Sequence, residues 1–230
     1  MENKRIKPTI LIKKKEKSEK NPVLQFIEKF RQDLDKKDDN IYDFYFIDYD
    51  DIIFDLAVFF KCVNCAFFGS YYTCPPFSSK PHISKEKFKK YEKFILIFVR
   101  KDMGDINNNL NEKEKEWKKP NLVTKLLYGQ AQASRTNVHK VYKIALDLRD
   151  YLRSCGYDAM GYQSGGCRLC LRDGCAFKIG EKCRNPEKML SSPEGIGIDL
   201  YTTCRKKGIP IEIPPRDIMT QIGLVIYKTN

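Results

Sequence analysis

Apolar residues recur at helical spacing in two long stretches of the 230-residue chain. Asn21 and Pro22 open the first stretch, and the second begins at Thr136 and ends at Gly156. The apolar positions of the first are Val23, Phe26, Ile27, Phe30 and Leu34, and those of the second are Val138, Val141, Ala145, Leu148 and Leu152. Because residues three and four positions apart share a helix face, the spacing predicts two amphipathic helices.

A third helix is predicted near the end of the chain. Ser192 suits the N-cap, Pro193 the first helical position and Glu194 the positive end of the helix dipole. An apolar stripe of Ile196, Leu200 and Cys204 follows, and Gly208 is predicted to end the helix.

Short apolar runs predict the strands. "KFILIFVRK" indicates a buried strand at 94–100, and "PTILIKK", "YDAMGY", "IPIEI" and "GLVIYK" indicate others at 8–14, 157–162, 209–213 and 223–228. "YFIDYDDIIFDLAVFFKC" forms a strand or short helix that leads to Cys62. Strands and helices alternate after residue 90, which favours an α+β (or α/β) fold with a single central sheet flanked by helices.

Two segments differ in character from the rest. Residues 1–40 form a basic N-terminal segment of strand plus helix, with eight Lys or Arg among the first twenty residues. Residues 41–230 form the main domain, and its polar stretch 101–120, with three consecutive Asn, predicts a mobile surface insertion.

Charge and hydropathy bear on compartment and partners. The chain carries 42 basic and 30 acidic residues, a formal charge of +12, which favours an acidic partner protein. Nucleic acid is possible but not favoured, because lysine-rich composition also fills solvated surface. The N-terminus shows no secretory signal, and "LAVFF" and "FILIFV" are too short to cross a bilayer, so we expect a cytoplasmic protein without a membrane anchor.

Seven of the nine cysteines fall into two groups. Group one consists of Cys62, Cys65 and Cys74, and group two of Cys167, Cys170, Cys175 and Cys183. In a reducing compartment dense cysteines are more often metal ligands or catalytic groups than disulfides. Each group contains a C-x2-C pair, whose intervening turn presents two thiolates to one centre, so all seven are predicted metal ligands.

Two kinds of centre fit this pattern. Zinc needs four ligands, which group two supplies, but zinc leaves group one with three cysteines and no evident fourth partner. A 4Fe-4S cluster also takes four thiolates, and prolines near ligating cysteines, as in "CPP" and "CRNP", recur in iron–sulfur loops. We therefore predict one or two 4Fe-4S clusters, with zinc as the alternative.

Group one raises the question of a fourth ligand. If none exists, one iron is open to a substrate, a sulfur atom or a ligand from a partner. Cys204, Cys155 and His82 are the candidates for a fourth ligand. Cys204 lies on the apolar stripe of the third helix and Cys155 at the end of the second, so both are predicted to be core cysteines rather than ligands. His82 is predicted to be a loop residue rather than a ligand.

The cysteine motifs carry a resemblance to a known family. "CVNCAFFGSYYTCPPF", "GGCRLC" and "CRNPEKMLSSPEGIGIDLYTT" are similar to the signatures of uncharacterised, cysteine-rich predicted metal-binding proteins of anaerobic bacteria and archaea. The resemblance covers roughly residues 60–213. It implies a metal, an iron–sulfur centre and an anaerobic setting, and it supplies no reaction.

Three function classes remain. The first is a redox, electron-transfer or accessory module of anaerobic metabolism that docks on a redox partner. The second is an enzyme that uses an open iron at Cys62, Cys65 and Cys74 for substrate or sulfur chemistry. The third is a zinc-stabilised nucleic-acid-binding protein. The sequence contains no radical adenosylmethionine motif, P-loop, dinucleotide fingerprint or G-x-S-x-G element.

Overall fold

A computed structural model describes residues 21–34, 38–65, 67–102, 122–170, 173–212 and 217–229, with residues 122–136 described by their backbone alone. The predicted strand at 8–14 and residues 103–120 of the predicted insertion lie outside these ranges.

One open antiparallel sheet of four strands organises the described residues. Its strands are β1 (Ile41–Ile47), β2 (Lys93–Asp102), β3 (Tyr157–Tyr162) and β4 (Ile218–Thr229), in the spatial order β1-β2-β4-β3. β3 therefore lies at an edge of the sheet. Together with its flanking helices, the sheet confirms the predicted α+β class.

Helices cover both faces of the sheet. The five described helices are α1 (Pro22–Asp33), α2 (Leu56–Lys61), α3 (Pro81–Phe88), α4 (Leu122–Ser154) and α5 (Leu200–Lys207). Along β2, Ile95, Ile97 and Val99 pack in one core cluster with α1 and α4. The alternate residues of β2 pack in a second cluster with α3 and α5, because successive side chains of a strand point to opposite faces.

Three elements differ from the prediction. Helix α4 begins at Leu122, well before Thr136. The helix predicted from Ser192 is two elements: a 3-10 turn at Glu194–Ile196 and helix α5, separated by Gly197 with φ +88°. The predicted strand at 209–213 is not formed over its described residues, 209–212.

Membrane-crossing helices are not found in the described part of the chain: no helix there is both long and apolar enough.

Candidate metal centre

The loop of group two leaves and returns at the β3 edge of the sheet. Directly after β3, the backbone N–H of Gln163 donates to Ser191 O (3.0 Å) and its side-chain amide donates to Leu190 O (2.7 Å). Helix α4 holds the returning segment, since Arg149 donates to the carbonyl of Glu187 (2.8 Å). These anchors close the base of the loop that carries all four cysteines of group two.

All four thiols of group two line one pocket. Its walls consist of Cys167, Cys170, Cys175 and Cys183, together with residues 71–73, Leu169 and Met189. The exposed surface inside the pocket is almost entirely apolar. Four soft sulfur donors in an apolar enclosure are the donor set that zinc and iron–sulfur centres require.

Asn185 connects two of these sulfurs. Its backbone N–H donates to Cys183 Sγ (3.4 Å), and its side-chain amide donates to Cys170 Sγ (3.5 Å). Such N–H donors stabilise thiolates and tune the reduction potential of a bound cluster. Burial raises the pKa of the Cys167 thiol, and the neighbouring Cys183, Cys170 and Cys175 raise it further, whereas the Leu169 backbone N–H lowers it.

Helix α2 delivers the first cysteine of group one. Asp55 caps the helix by accepting from Ala57 N (2.8 Å), and Cys62 follows its last residue. A 3-10 turn then closes the C-x2-C pair, with the Cys65 N–H donating to Cys62 O (2.9 Å). Cys74 is buried in a second turn, in which its own backbone N–H donates to Tyr71 O (3.1 Å).

The thiols of group one lie within electrostatic range of one another. Burial raises the pKa of Cys74 to about 11, with Thr73 opposing this and Cys65, Cys62 and Cys167 adding to it. Burial also raises the pKa of Cys62, and the charges of Glu194 and Cys65 raise it further. A charge on Cys167 of group two therefore acts on Cys74 of group one.

Aromatic contacts join the two cysteine loops. Phe67 lies against Gly166, where an added Cβ would be 2.9 Å from the Phe67 ring, so this close approach requires glycine. Phe177 of the group-two loop contacts Tyr72 (ring centroids 5.1 Å apart) and Phe77 (4.2 Å) of the group-one loop. The Tyr72 hydroxyl donates to the carbonyl of Glu181. The loops therefore form one packed unit.

The three candidate fourth ligands stand in different surroundings. Cys204 is fully buried in the core cluster of α5, within electrostatic range of Arg100. Cys155 is exposed and lies two residues before β3, at the opposite end of this strand from the group-two loop. His82 is exposed on α3.

The structure adds Glu194, which the sequence analysis assigned only to a helix dipole. Burial raises its pKa to about 7, although its own backbone N–H and the Ser192 hydroxyl lower it, and Asp199 raises it further. Its charge acts on Cys62. No spacing pattern in the sequence connects Glu194 with the group-one cysteines, since the two segments meet only in the folded chain.

Zinc ions and iron–sulfur clusters place different requirements on the spacing of their donors. Among the described residues, which include all seven grouped cysteines, no three Cys, His, Asp or Glu side chains converge as a single metal ion would require. Thiolates at about 2.3 Å from a tetrahedral zinc ion lie about 3.8 Å from each other. A cluster of several irons and sulfides is larger and holds its thiolates farther apart.

Comparison with known families gives one match. The family described as "Predicted metal-binding protein (DUF2284)" matches residues 45–227, a range that contains both cysteine groups. No curated protein and no solved structure matches the chain.

Proposed function

Because the chain belongs to this family of predicted metal-binding proteins, we propose that its metal is iron, held as a 4Fe-4S cluster by group two. The observation that carries this proposal is the lining of one apolar pocket by Cys167, Cys170, Cys175 and Cys183. Four thiolates are the full ligand set of such a cluster, and clusters, unlike zinc at group two alone, give all seven grouped cysteines a role.

The role we propose is electron transfer, as a redox or accessory module. A 4Fe-4S cluster exchanges one electron, and its potential responds to hydrogen bonds to sulfur and to burial. Asn185 supplies such hydrogen bonds to two sulfurs of group two. In this chain the residues at 71–73 form a wall of the group-two pocket and lead directly to Cys74. A second centre at group one would therefore neighbour the first.

An enzyme with an open iron at group one is the second candidate. The observation that favours it is the ligand count: group one supplies three thiols, whereas Cys204 lies in the core cluster of α5 and Cys155 is exposed before β3. A zinc-stabilised nucleic-acid binder is the third candidate, and it leaves the three-cysteine group without a role.

An acidic redox protein is the partner that we propose. Leu56, Phe60 and Val63 are exposed on one side of α2 and the turn that follows it, next to Cys62. We call these three residues the α2 surface. Lys61 is also exposed, directly after Phe60 at the end of α2, and the charge of the chain is +12. A partner with an apolar contact surrounded by acidic groups would complement these features.

Metal analysis of anaerobically purified protein tests the proposal. We expect iron and acid-labile sulfide at cluster stoichiometry, a brown colour, and a reversible one-electron reduction seen by electron paramagnetic resonance. Cys167→Ser and Cys183→Ser should lose the group-two iron. Cys155→Ser is the matched control, because this exposed cysteine lies outside both groups and should leave iron unchanged.

Stoichiometric zinc without sulfide in this preparation would contradict the proposal. Loss of iron in Cys155→Ser to the same degree as in Cys167→Ser would also contradict the assignment of ligands to group two.

A further inference from the structure

Exposed apolar side chains are concentrated in the segments that carry the cysteines. Of the nine large apolar residues that are exposed in the described part of the chain, six lie in residues 56–83 and two in residues 179–189. Single exposed apolar residues are ordinary, whereas a concentration of them marks a surface that contacts another molecule. The α2 surface accounts for three of these eight, so the cysteine segments expose apolar area that the proposed function does not use.

Phe177 brings two of the remaining residues into one surface. The centroid of its ring lies 4.2 Å from that of Phe77, so this contact joins the group-two loop to the group-one loop. Ile179 ends the 3-10 turn that contains Phe177, and its exposed fraction of 63% is the highest among the nine residues. We call Phe77, Phe177 and Ile179 the Phe177 surface.

The Phe177 surface lies beside the group-two pocket. Cys175 directly precedes the 3-10 turn Ala176–Ile179. Tyr72, whose ring centroid is 5.1 Å from that of Phe177, also lines the pocket with the four thiols. A protein bound to this surface therefore stands next to group two, as a protein bound to the α2 surface stands next to group one.

The charges near the Phe177 surface favour an acidic partner. Three exposed lysines lie within three residues of its members in the sequence: Lys80, Lys178 and Lys182. Among the ion pairs of the described residues, none includes any of these lysines. Glu181, the acidic residue closest to the surface in the sequence, pairs with Arg184 (3.9 Å). An acidic protein complements these charges, whereas a second copy of the same basic surface repels them.

We propose that the Phe177 surface is a second docking surface for an acidic redox protein, in addition to the α2 surface. The inference rests on the proposed function, because the class of partner comes from there. Its consequence is that one chain binds two acidic carriers at once, one beside each cysteine group. A reduced carrier at one surface then loses one electron while an oxidised carrier at the other gains one, and neither has to leave first.

Isothermal titration calorimetry of the anaerobically purified protein, with a small acidic iron–sulfur electron carrier at low ionic strength, tests the inference. The unmodified protein should bind two carriers per chain. Ile179→Ser, Phe77→Ser and Phe60→Ser should each keep one site and lower the affinity of the other about tenfold or more, because each removes an apolar contact at one surface. The double variant Ile179→Ser/Phe60→Ser should lack both tight sites.

Lys178→Glu tests the contribution of charge at the same surface. It should weaken one of the two sites several-fold at low salt and much less at high salt, because salt screens exposed charges.

Tyr201→Ser is the matched control, because Tyr201 is an exposed aromatic residue of α5 and lies in neither cysteine loop. This variant should bind two carriers with unchanged affinities. Its iron and sulfide content, and that of every other variant, reports that the protein is folded and loaded.

The failure of this inference is distinguishable from that of the proposed function. If the protein contains iron and sulfide but binds one carrier, and Ile179→Ser and Phe77→Ser bind it as the unmodified protein does, only this inference is overturned. A single carrier that is lost in Ile179→Ser but not in Phe60→Ser supports the Phe177 surface and contradicts the α2 surface. Protein without iron and sulfide overturns both proposals.

Two other occupants of the Phe177 surface give results of their own. If Ile179→Ser leaves carrier binding unchanged but dissociates a dimer of this chain in sedimentation, the surface binds a second copy. If it leaves carrier binding unchanged but abolishes binding to RNA, the surface binds nucleic acid. Either result overturns the inference.

Discussion

Asp38 joins the start of β1 to helix α4. Its carboxylate accepts from the backbone and side-chain amides of Asn40 (3.0 and 2.6 Å), from the Tyr42 hydroxyl (2.7 Å) and from Lys140 Nζ (2.7 Å). Burial alone would raise its pKa, but the hydrogen bonds from Asn40, Lys140 and Tyr42 lower it to about 2. The folded protein therefore favours the ionised form more than the unfolded chain does.

A pH dependence of stability follows from this pKa. The folded value of about 2 lies below the model-peptide value of 3.8, so the stabilisation is complete above about pH 4 and is lost as the pH falls towards 2. Asp38→Asn should lower the free energy of unfolding at pH 7 by about 1–2 kcal/mol, after allowance for solvent screening. Urea titrations at several pH values should show the difference from the unmodified protein shrinking between pH 4 and 2.

Asp147→Asn is the control for Asp38. Its carboxylate pairs with Lys143 on an exposed face of α4, where such pairs contribute little. A constant Asp38→Asn effect from pH 7 to 2 would contradict the role given to its ionised form.

Single residues also mark how far sequence analysis reaches into the site. The C-x2-C spacing singled out Cys167 and Cys170, and the structure brings them to one pocket with the other two members of group two; their ligation of a metal stays a prediction. Glu194 was missed, because a carboxylate carries no spacing signal and its approach to Cys62 depends on pairing between residues 53–55 and 197–199. Local patterns predict local chemistry, whereas this contact is tertiary.

At the scale of elements, Gly197 separates the Glu194 turn from α5. Ser192 accepts from Gly195 N (3.0 Å), as the predicted cap requires, but the chain then turns at Gly197. Asp199 begins the new helix by accepting from Thr202 N (2.9 Å). The apolar spacing continues from the turn into α5 because both elements contribute to the same core cluster. Periodicity alone therefore predicted one helix where the structure has a turn and a helix.

Gly197→Ala should disturb this arrangement strongly. Its φ of +88° disfavours any side chain, and the new Cβ would lie 2.6 Å from Pro81 Cβ, which a rigid ring cannot avoid. Strain and overpacking together should cost about 2–4 kcal/mol, measured as the free energy of unfolding in denaturant.

Gly208→Ala is the matched control for Gly197→Ala. Gly208 also has positive φ, +68°, but no atom lies within 4 Å of the added Cβ, so only the backbone term of about 1 kcal/mol remains. Equal losses in the two variants would argue against the contact with Pro81.

Other elements show which physical signals were sufficient. Strand β3 coincides with the predicted 157–162, because a stop at Gly156 and a polar loop bound it on both sides. The predicted strand at 209–213 failed over its described part: Ile209 N donates to Cys204 O (2.9 Å) to close α5, and Pro210 has no N–H for a ladder. Helix α4 extends to Leu122, and the added residues include the good helix formers Leu, Lys, Gln, Ala and Arg, although Gly129 lies among them.

At the scale of the whole molecule, the sheet carries the two cysteine loops, and the sequence segments that contain them are rich in basic residues. Residues 61–90 contain six Lys or Arg and one Asp or Glu. Residues 167–188 contain six Lys or Arg and three Asp or Glu. The exposed apolar residues of the α2 surface adjoin Cys62 within this region. Charge steers an acidic partner from a distance, and the apolar contact then fixes the complex.

Docking of an acidic redox partner beside Cys62 should depend on both charge and apolar contact. With a small acidic iron–sulfur electron carrier as the probe, the second-order rate of electron transfer should fall as ionic strength rises, because salt at 0.1 M screens charges beyond about 10 Å. Lys61→Glu should lower the rate several-fold at low salt, and Phe60→Ser should lower it at all salt concentrations, because it removes apolar contact rather than charge. Deleting residues 2–20 tests whether the eight basic residues of that segment contribute to the same salt dependence.

The matched control is Lys29→Glu, the same charge reversal on α1, which packs on the face of the sheet opposite to α3 and α5. If docking depends only on net charge, Lys29→Glu and Lys61→Glu should slow the reaction equally, and the α2 surface then has no special part in it. If the rate is insensitive to both salt and Phe60→Ser, the partner is not an acidic redox protein, and salt-dependent retention on RNA would direct attention to nucleic acid instead. A defect confined to Lys61→Glu and Phe60→Ser is the outcome that a contact beside Cys62 requires, because electron transfer depends on where the carrier binds.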